Sequence, residues 1–257
     1  MTFLMKVFRI VFRLSSLVIL SISGLVLMGI YSNREKNSPI NQKQKEIRQW
    51  WLKKVVEIVG IKLTTIGNKP KATDSALWVA NHVSWLDIPI IGSEGVSFLS
   101  KAEIRKWPVI GWLGEKGGTV FIQRGGKNAS QQASTKIADS ILLGDSVLVF
   151  PEATTTNGKD VKRFHARIFA PVIDRELAVQ PVAIRYLDEN GNHHPSIEWS
   201  DESFISNVMK ILAETNIHVE VHFLEPLVNH GLSERKNLAD ISYNLIRGVV
   251  KQSDNLR

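Results

Sequence analysis

The chain has 257 residues, 44% of them hydrophobic and 22% charged, which allows one α/β-sized domain with a short attached segment and excludes a disordered or collagen-like protein. A formal charge of +7 points to an anionic partner, whether nucleic acid, lipid headgroup or phosphorylated small molecule. There is no cysteine, so disulfides, thiolate zinc sites and cysteine-bound covalent intermediates are excluded.

Met1 to Arg13 mixes Phe3, Leu4, Val7, Phe8 and Val11 with Lys6, Arg9 and Arg13, an amphipathic pattern suited to an interface. Leu14 to Asn33 then carries no charge, close to the ~20 residues a helix needs to cross a hydrocarbon core. A signal peptide is the competing reading, but no small-x-small cleavage site follows before the charged stretch Arg34 to Lys36, so a retained anchor is expected. Lys6, Arg9 and Arg13 precede the segment, whereas Arg34, Lys36, Lys43, Lys45, Arg48, Lys53 and Lys54 follow it. A spanning helix would therefore leave the main domain on the cytoplasmic side of the inner membrane. A half-inserted helical hairpin is the alternative geometry. Ile47, Trp51, Val55 and Ile58 recur at helical spacing. That stripe either faces headgroups, with Trp50, Lys53 and Lys54 beside it, or packs on the domain core. Residues 1–60 are read as membrane-anchoring helices and 61–257 as the main domain.

Beyond Ile61, short β-branched runs alternate with helical stretches, the pattern of an α/β fold. Strands are expected over 76–80, 96–100, 119–123, 147–150, 178–185 and 218–223, and helices over 88–92, 103–113, 129–143, 167–176, 203–215 and 233–251. Polar residues collect after the first, third and fourth of these strands, as NHVSWLD, QRGGK and PEATTTNG. Ligands of open α/β sheets sit beyond the carboxyl ends of strands, so the three loops are expected to converge.

His82 and Asp87 would point about 140° apart on a regular helix, at roughly 100° per residue, so they meet only across a turn. Pro89 supports one, because proline suits the first turn of a helix and disrupts later ones. A neutral imidazole can take the proton of a hydroxyl near pH 7, and a carboxylate on its other nitrogen fixes the tautomer and steadies the imidazolium. A helix cap at Asp87 and a loop histidine at His82 are the plainer reading of the same two residues. No third ligand stands at a metal-site spacing, so no metal is expected.

At these residues the chain resembles the glycerolipid acyltransferases, the family that includes the lysophosphatidate (1-acyl-glycerol-3-phosphate) acyltransferases. Asn81-His82-Val83-Ser84-Trp85-Leu86-Asp87 matches the family's N-H-x-S-x-x-D signature, and Gly118-Thr119-Val120-Phe121-Ile122-Gln123-Arg124 matches its second block, an apolar run ending in F-I-x-R. Phe150-Pro151-Glu152-Ala153-Thr154 meets its F-P-E-G-T block, and Val179-Gln180-Pro181-Val182 its fourth, an apolar segment around a proline.

The resemblance implies a mixed α/β sheet flanked by helices, with an N-terminal membrane-attached helix or helical hairpin. It also implies His82 as general base and Asp87 as its partner, with Arg124, Glu152, Ala153 and Thr154 holding the acceptor. Amides at the start of the following helix are expected to steady the oxyanion. Asn81, Ser84, Gly118, Phe121, Pro151 and Pro181 complete the blocks. The implied activity is acyl transfer from acyl-CoA or acyl carrier protein to a lysophospholipid hydroxyl, with lysophosphatidate as first choice and no metal or bound cofactor.

Two departures affect acceptor recognition. Ala153 stands where the family has glycine, which strains the loop if that position needs a positive φ. Thr155 stands where many members have arginine, and F-K-x-G becomes Phe164-His165-Ala166-Arg167, leaving Lys162, Arg163 and Arg167 as substitutes in charge. Another lyso-lipid, such as lyso-ornithine lipid, is accordingly the alternative acceptor, and a non-catalytic membrane lipid-binding protein is the alternative of another class. Nucleic acid is not an expected partner, since the basic residues crowd beside the apolar anchor and no recognised module appears.

Overall fold

The computed structural model describes residues 3–32, 39–71, 74–122, 129–198, 203–228 and 234–252. Strands β1 (Ile61–Gly67), β2 (Leu77–Ala80), β3 (Ser97–Lys101), β4 (Val120–Ile122), β5 (Val147–Val149), β6 (Val179–Leu187) and β7 (Ile217–Phe223) form one sheet in the order β1-β7-β6-β2-β5-β3-β4. Only β6 and β7 pair antiparallel, so the sheet is mixed, as the sequence led us to expect.

The central strands are apolar on both faces because helices cover both. Along β2, Trp78 and Ala80 enter one core and Leu77 and Val79 the other, the two-residue alternation of a strand. The first core is closed by α1 (Phe3–Tyr31), α2 (Gln42–Val59), α3 (Asp87–Gly92) and α7 (Phe204–Ala213); the second by α5 (Ala129–Leu142), α6 (Ala170–Arg175) and α8 (Arg235–Lys251).

Two elements differ from the sequence reading. Strand β1 was not anticipated: it is an edge strand paired only with β7, and its residues after Ile61 are exposed, so it carries no buried periodicity. The expected helix over 103–113 is instead a 3-10 turn, Ala102–Lys106, followed by α4 (Ile110–Lys116). Pro108 sits between them and offers no N–H to carry a helix through.

Helix α2 opens with a capping box, Asn41 and Gln44 each accepting the other's backbone N–H, and closes at Gly60 with φ +80°. Its stripe packs on the core: Ile47 and Val55 are buried, Trp51 and Ile58 are partly buried against the first core, and Trp50 faces outward. Arg48, also buried, donates to Ser97 Oγ (2.6 Å) and to the carbonyls of Gly95 and Gly117 (2.7 Å each), fastening α2 to the sheet. Residues on either side of position 60 thus share one core.

Helix α1 lies along this body. Three of the four serines that interrupt its apolar sequence are satisfied within it, Ser16, Ser21 and Ser23 each donating to the carbonyl four residues back. Gly24 gives the indole of Trp51 room to approach, and Trp51 Nε1 donates to the Leu20 carbonyl at 3.1 Å. Arg13 donates to the carbonyls of Leu212 (2.9 Å) and Glu214 (2.6 Å), and Arg9 to that of Ala213. Two cations thereby satisfy the carbonyl end of α7, where the helix dipole favours positive charge. Phe8, Phe12, Ile19, Ile22, Val26 and Ile30 remain exposed on the other side of α1.

Candidate active site

Strands β2 and β5 are parallel neighbours, so the loops leaving their carboxyl ends lie side by side. The loop after β2 holds His82 and that after β5 holds Glu152. The His82 ring stacks on Phe150 with centroids 4.0 Å apart and planes 12° from parallel. His82 N–H donates to Glu152 Oε1 at 2.7 Å, and the His82 carbonyl accepts from Thr156 N–H at 2.8 Å. The loop after β4, with Arg124, falls outside the described residues, and β4 is the edge strand three places from β2.

His82 and Asp87 meet across a turn. His82 Nδ1 lies 2.8 Å from Asp87 Oδ2, which also accepts from Val83 N–H (2.7 Å) and Ser84 N–H (2.9 Å). Asp87 is wholly buried at the first position of α3, while the His82 side chain keeps 19% of its surface exposed. One side of the imidazole is therefore fixed from within, and among the described residues Nε2 has no hydrogen-bond partner.

Most of the amides expected as oxyanion donors near the start of α3 are engaged within the turn. Val83 and Ser84 amides go to Asp87, Leu86 N–H goes to Ser84 Oγ, and the Asp87 and Ile88 amides go to the carbonyls of Ser84 and Trp85. These amides build the turn instead of facing a substrate.

Glu152 is 3% exposed, and both its oxygens accept backbone N–H groups, Oε1 from His82 and Oε2 from Lys162 (2.7 Å). Burial pushes its carboxyl up to about 7, outweighing the opposing pull of the two amides. Glu152 thus fastens the loop after β5 to the His82 loop. Ala153 has φ +58°, the conformation in which a Cβ is penalised and glycine is not. Thr154 is exposed.

Of the substitute cations, Arg163 pairs with Asp240 (3.0 Å) and lies over the Tyr243 ring, so it faces α8. Lys162 and Arg167 are exposed and form no ion pair among the described residues. Asp160 receives a bidentate bond from Arg247 (2.6 and 2.9 Å), which together with its neighbours holds its carboxyl well below the usual carboxylate range.

Asn81 bonds both the carbonyl (2.9 Å) and the N–H (2.8 Å) of Ile184, joining the start of the His82 loop to β6. Pro151 is buried beside Glu152, Pro181 is buried in register with Val79, Gly118 has φ +84° and Phe121 is half-buried. One residue escaped the sequence reading. Tyr186 is fully buried, and its hydroxyl donates to Asp87 Oδ1 at 2.5 Å. On β6 it alternates with Val182 and Ile184, so its sequence signal is that of an ordinary core aromatic.

With this geometry in view, residues 60–185 match the family model described as Acyltransferase. The chain is 35% identical over 242 residues to the lyso-ornithine lipid O-acyltransferase of Pseudomonas aeruginosa, covering 93% of this chain and 92% of that one. The chain belongs to the glycerolipid acyltransferase family. It is also 32% identical to the 1-acyl-sn-glycerol-3-phosphate acyltransferase of Neisseria gonorrhoeae, over 70% of this chain and 71% of that one. The crystal structure of PlsC, the 1-acyl-sn-glycerophosphate acyltransferase of Thermotoga maritima, shares the fold, with a TM-score of 0.73 at 20% identity over 98% of this chain and 97% of that one.

Proposed function

We propose that the chain moves a fatty acyl group from an acyl thioester to the free hydroxyl of a lyso-lipid, with His82 as general base and Asp87 as its orienting partner. The observation that carries this reading is the partly exposed imidazole whose Nδ1 is held by a wholly buried carboxylate. His82 Nε2 takes the acceptor's proton as its oxygen attacks the thioester carbonyl. The tetrahedral intermediate then expels the thiolate, which receives the proton from the imidazolium. Asp87 holds the tautomer that leaves Nε2 unprotonated at the start. The thioester is carried by coenzyme A or acyl carrier protein, and no metal or bound cofactor takes part in this scheme. Purified protein should turn over in the presence of chelator, and His82→Ala should lose at least about a thousandfold in kcat/KM. Unchanged turnover in that variant would sink the mechanism.

For the acceptor we favour lyso-ornithine lipid. Its support is the likeness to the Pseudomonas enzyme, which runs nearly end to end and beyond the four shared blocks. The acceptor loop agrees, since Thr155 stands at the usual arginine and Arg163 is engaged with α8. A phosphate monoester calls for clustered cations, whereas ornithine itself supplies both signs of charge. Lysophosphatidate is the second reading, supported by the Neisseria relative and by Lys162 and Arg167, which form no ion pair among the described residues. A panel of lyso-acceptors with one labelled acyl donor decides between them.

The attachment we propose is in-plane, with the exposed side of α1 sunk into the cytoplasmic leaflet of the inner membrane. Arg9, Arg13, Leu20 and Gly24 bind α1 to α2 and α7. Crossing the bilayer would drag charged neighbours of α2, Lys53, Lys54 and Glu57, into hydrocarbon.

A further inference from the structure

Asp87 is wholly buried, so each of its oxygens needs a donor. Oδ2 has three: His82 Nδ1 and the amides of Val83 and Ser84. Among the described residues, Oδ1 has one, the hydroxyl of Tyr186, which reaches it from β6, 99 residues along the chain. Tyr186 has itself no solvent exposure to speak of, and its neighbours Ile184 and Ile197 pack in the same core.

The delivery of this hydroxyl is built into the sheet. Strand β6 pairs with β2 in parallel, with Ala80 opposite Val182. At the end of β2 the Asn81 side chain continues the pairing, bonding Ile184 through both its carbonyl and its N–H. Residues two apart on a strand share a face, so fixing Ile184 also fixes the face on which Tyr186 stands. The Asn81 amide thus sets the strand, and the strand brings the phenol to the carboxylate.

We propose that Tyr186 is a positioning residue for the acyl-transfer reaction. By holding Asp87 Oδ1 it keeps Oδ2 turned toward His82 Nδ1, and by drawing charge from the carboxylate it weakens the pull of Asp87 on the imidazolium. This role rests on His82 being the general base. A phenylalanine would keep the ring packing and lose only the donor, leaving Oδ1 without a partner. The carboxylate charge would then concentrate toward Oδ2 and hold the imidazolium more tightly.

The test compares wild type, Tyr186→Phe, Asp87→Asn and the double variant, each as the full chain in mixed micelles with an acyl thioester and a saturating lyso-acceptor. The acid limb of the kcat/KM profile should move upward by about half a pH unit or more in Tyr186→Phe. Its kcat/KM near neutral pH should fall roughly tenfold, with KM little changed, by analogy with the orienting partners of other catalytic histidines. In the Asp87→Asn background the tyrosine change should have little further effect, because the two residues act as one unit. Glu152 is the other ionisable group that senses His82 and Asp87, so the limb is read as a difference from wild type. A second measurement keeps the side chain in place: global replacement of tyrosine by 3-fluorotyrosine makes the hydroxyl a stronger donor and should move the acid limb to lower pH. The same tenfold loss with and without Asp87, or a limb that stays put in both the phenylalanine and fluorotyrosine proteins, overturns the role. If His82→Ala retains full activity, the underlying base assignment fails, and that outcome is distinct from a silent Tyr186.

Discussion

The loops after β2 and β5 touch one another, yet they are held in different ways. The His82 loop is fixed from several elements: by Asp87 of α3, which Tyr186 of β6 holds in turn, by the Asn81 side chain bonded to the Ile184 backbone, and by Glu152 from the neighbouring loop. The loop after β5 is tied down by the Glu152 carboxylate, by the Thr156 N–H bond to the His82 carbonyl and by the Asp160 pair with Arg247, and passes through Ala153 at a positive φ. A base must be placed to a fraction of an ångström, while an acceptor headgroup needs only a shaped and charged surround. Changes in the first loop should therefore alter rate, and changes in the second should alter stability and acceptor choice.

Asp87→Asn should give the largest effect. The amide keeps the shape but can hold the wrong tautomer of His82, and kcat should fall by about 10³- to 10⁴-fold. Steady-state kinetics with an acceptor concentration series would show this with KM nearly unchanged. A loss confined to KM would place the carboxylate on the binding side instead.

Glu152 comes next, through pH. Its carboxyl ionises near 4.5 in the unfolded chain and at about 7 in the folded one. The folded state holds the proton more tightly, so this contribution to stability is complete below pH 4.5 and is lost as pH rises through 7. At about 1.4 kcal/mol per unit the difference is on the order of 3 kcal/mol. Urea unfolding of wild type between pH 5 and 8 should show the decline relative to Glu152→Gln, whose curve should be flatter. Parallel curves would remove the buried ionisation from the account.

Ala153→Gly tests the strain directly. The left-handed conformation costs a non-glycine residue roughly 1–2 kcal/mol, and glycine gives back part of that through unfolded-chain entropy. A gain of about 0.5–1 kcal/mol in thermal unfolding is expected, together with a broader acceptor preference in the lyso-lipid panel. Arg163→Ala should matter least. Its pair with Asp240 is exposed, and with its contact over Tyr243 it should be worth no more than about 1 kcal/mol. Acceptor preference should stay as in wild type, whereas Lys162→Ala or Arg167→Ala should shift it.

The sheet and the turn at His82 were legible because the chain states them locally. Short, mostly apolar runs mark the central strands, and Pro89 with the five-residue spacing supports the fold-back. Strand β1 was not legible, since its partner β7 lies far along the chain and its own side chains are mostly exposed. Tyr186 was hidden for a related reason. An aromatic residue in an alternating strand has the same signal whether its hydroxyl is idle or bound to a buried carboxylate. The role of Glu152 in joining two loops was equally invisible, because backbone donors leave no residue-type pattern.

The grip of Arg9 and Arg13 on the end of α7 carries a practical consequence. Clipping the first thirty or so residues is the usual route to a soluble form of an anchored enzyme. In this chain it would strip the carbonyl end of α7 of its two cations and uncover Trp51 and part of the first core. The helix proposed to meet lipid is also a strut of the folded body, so its removal and loss of the fold are coupled events.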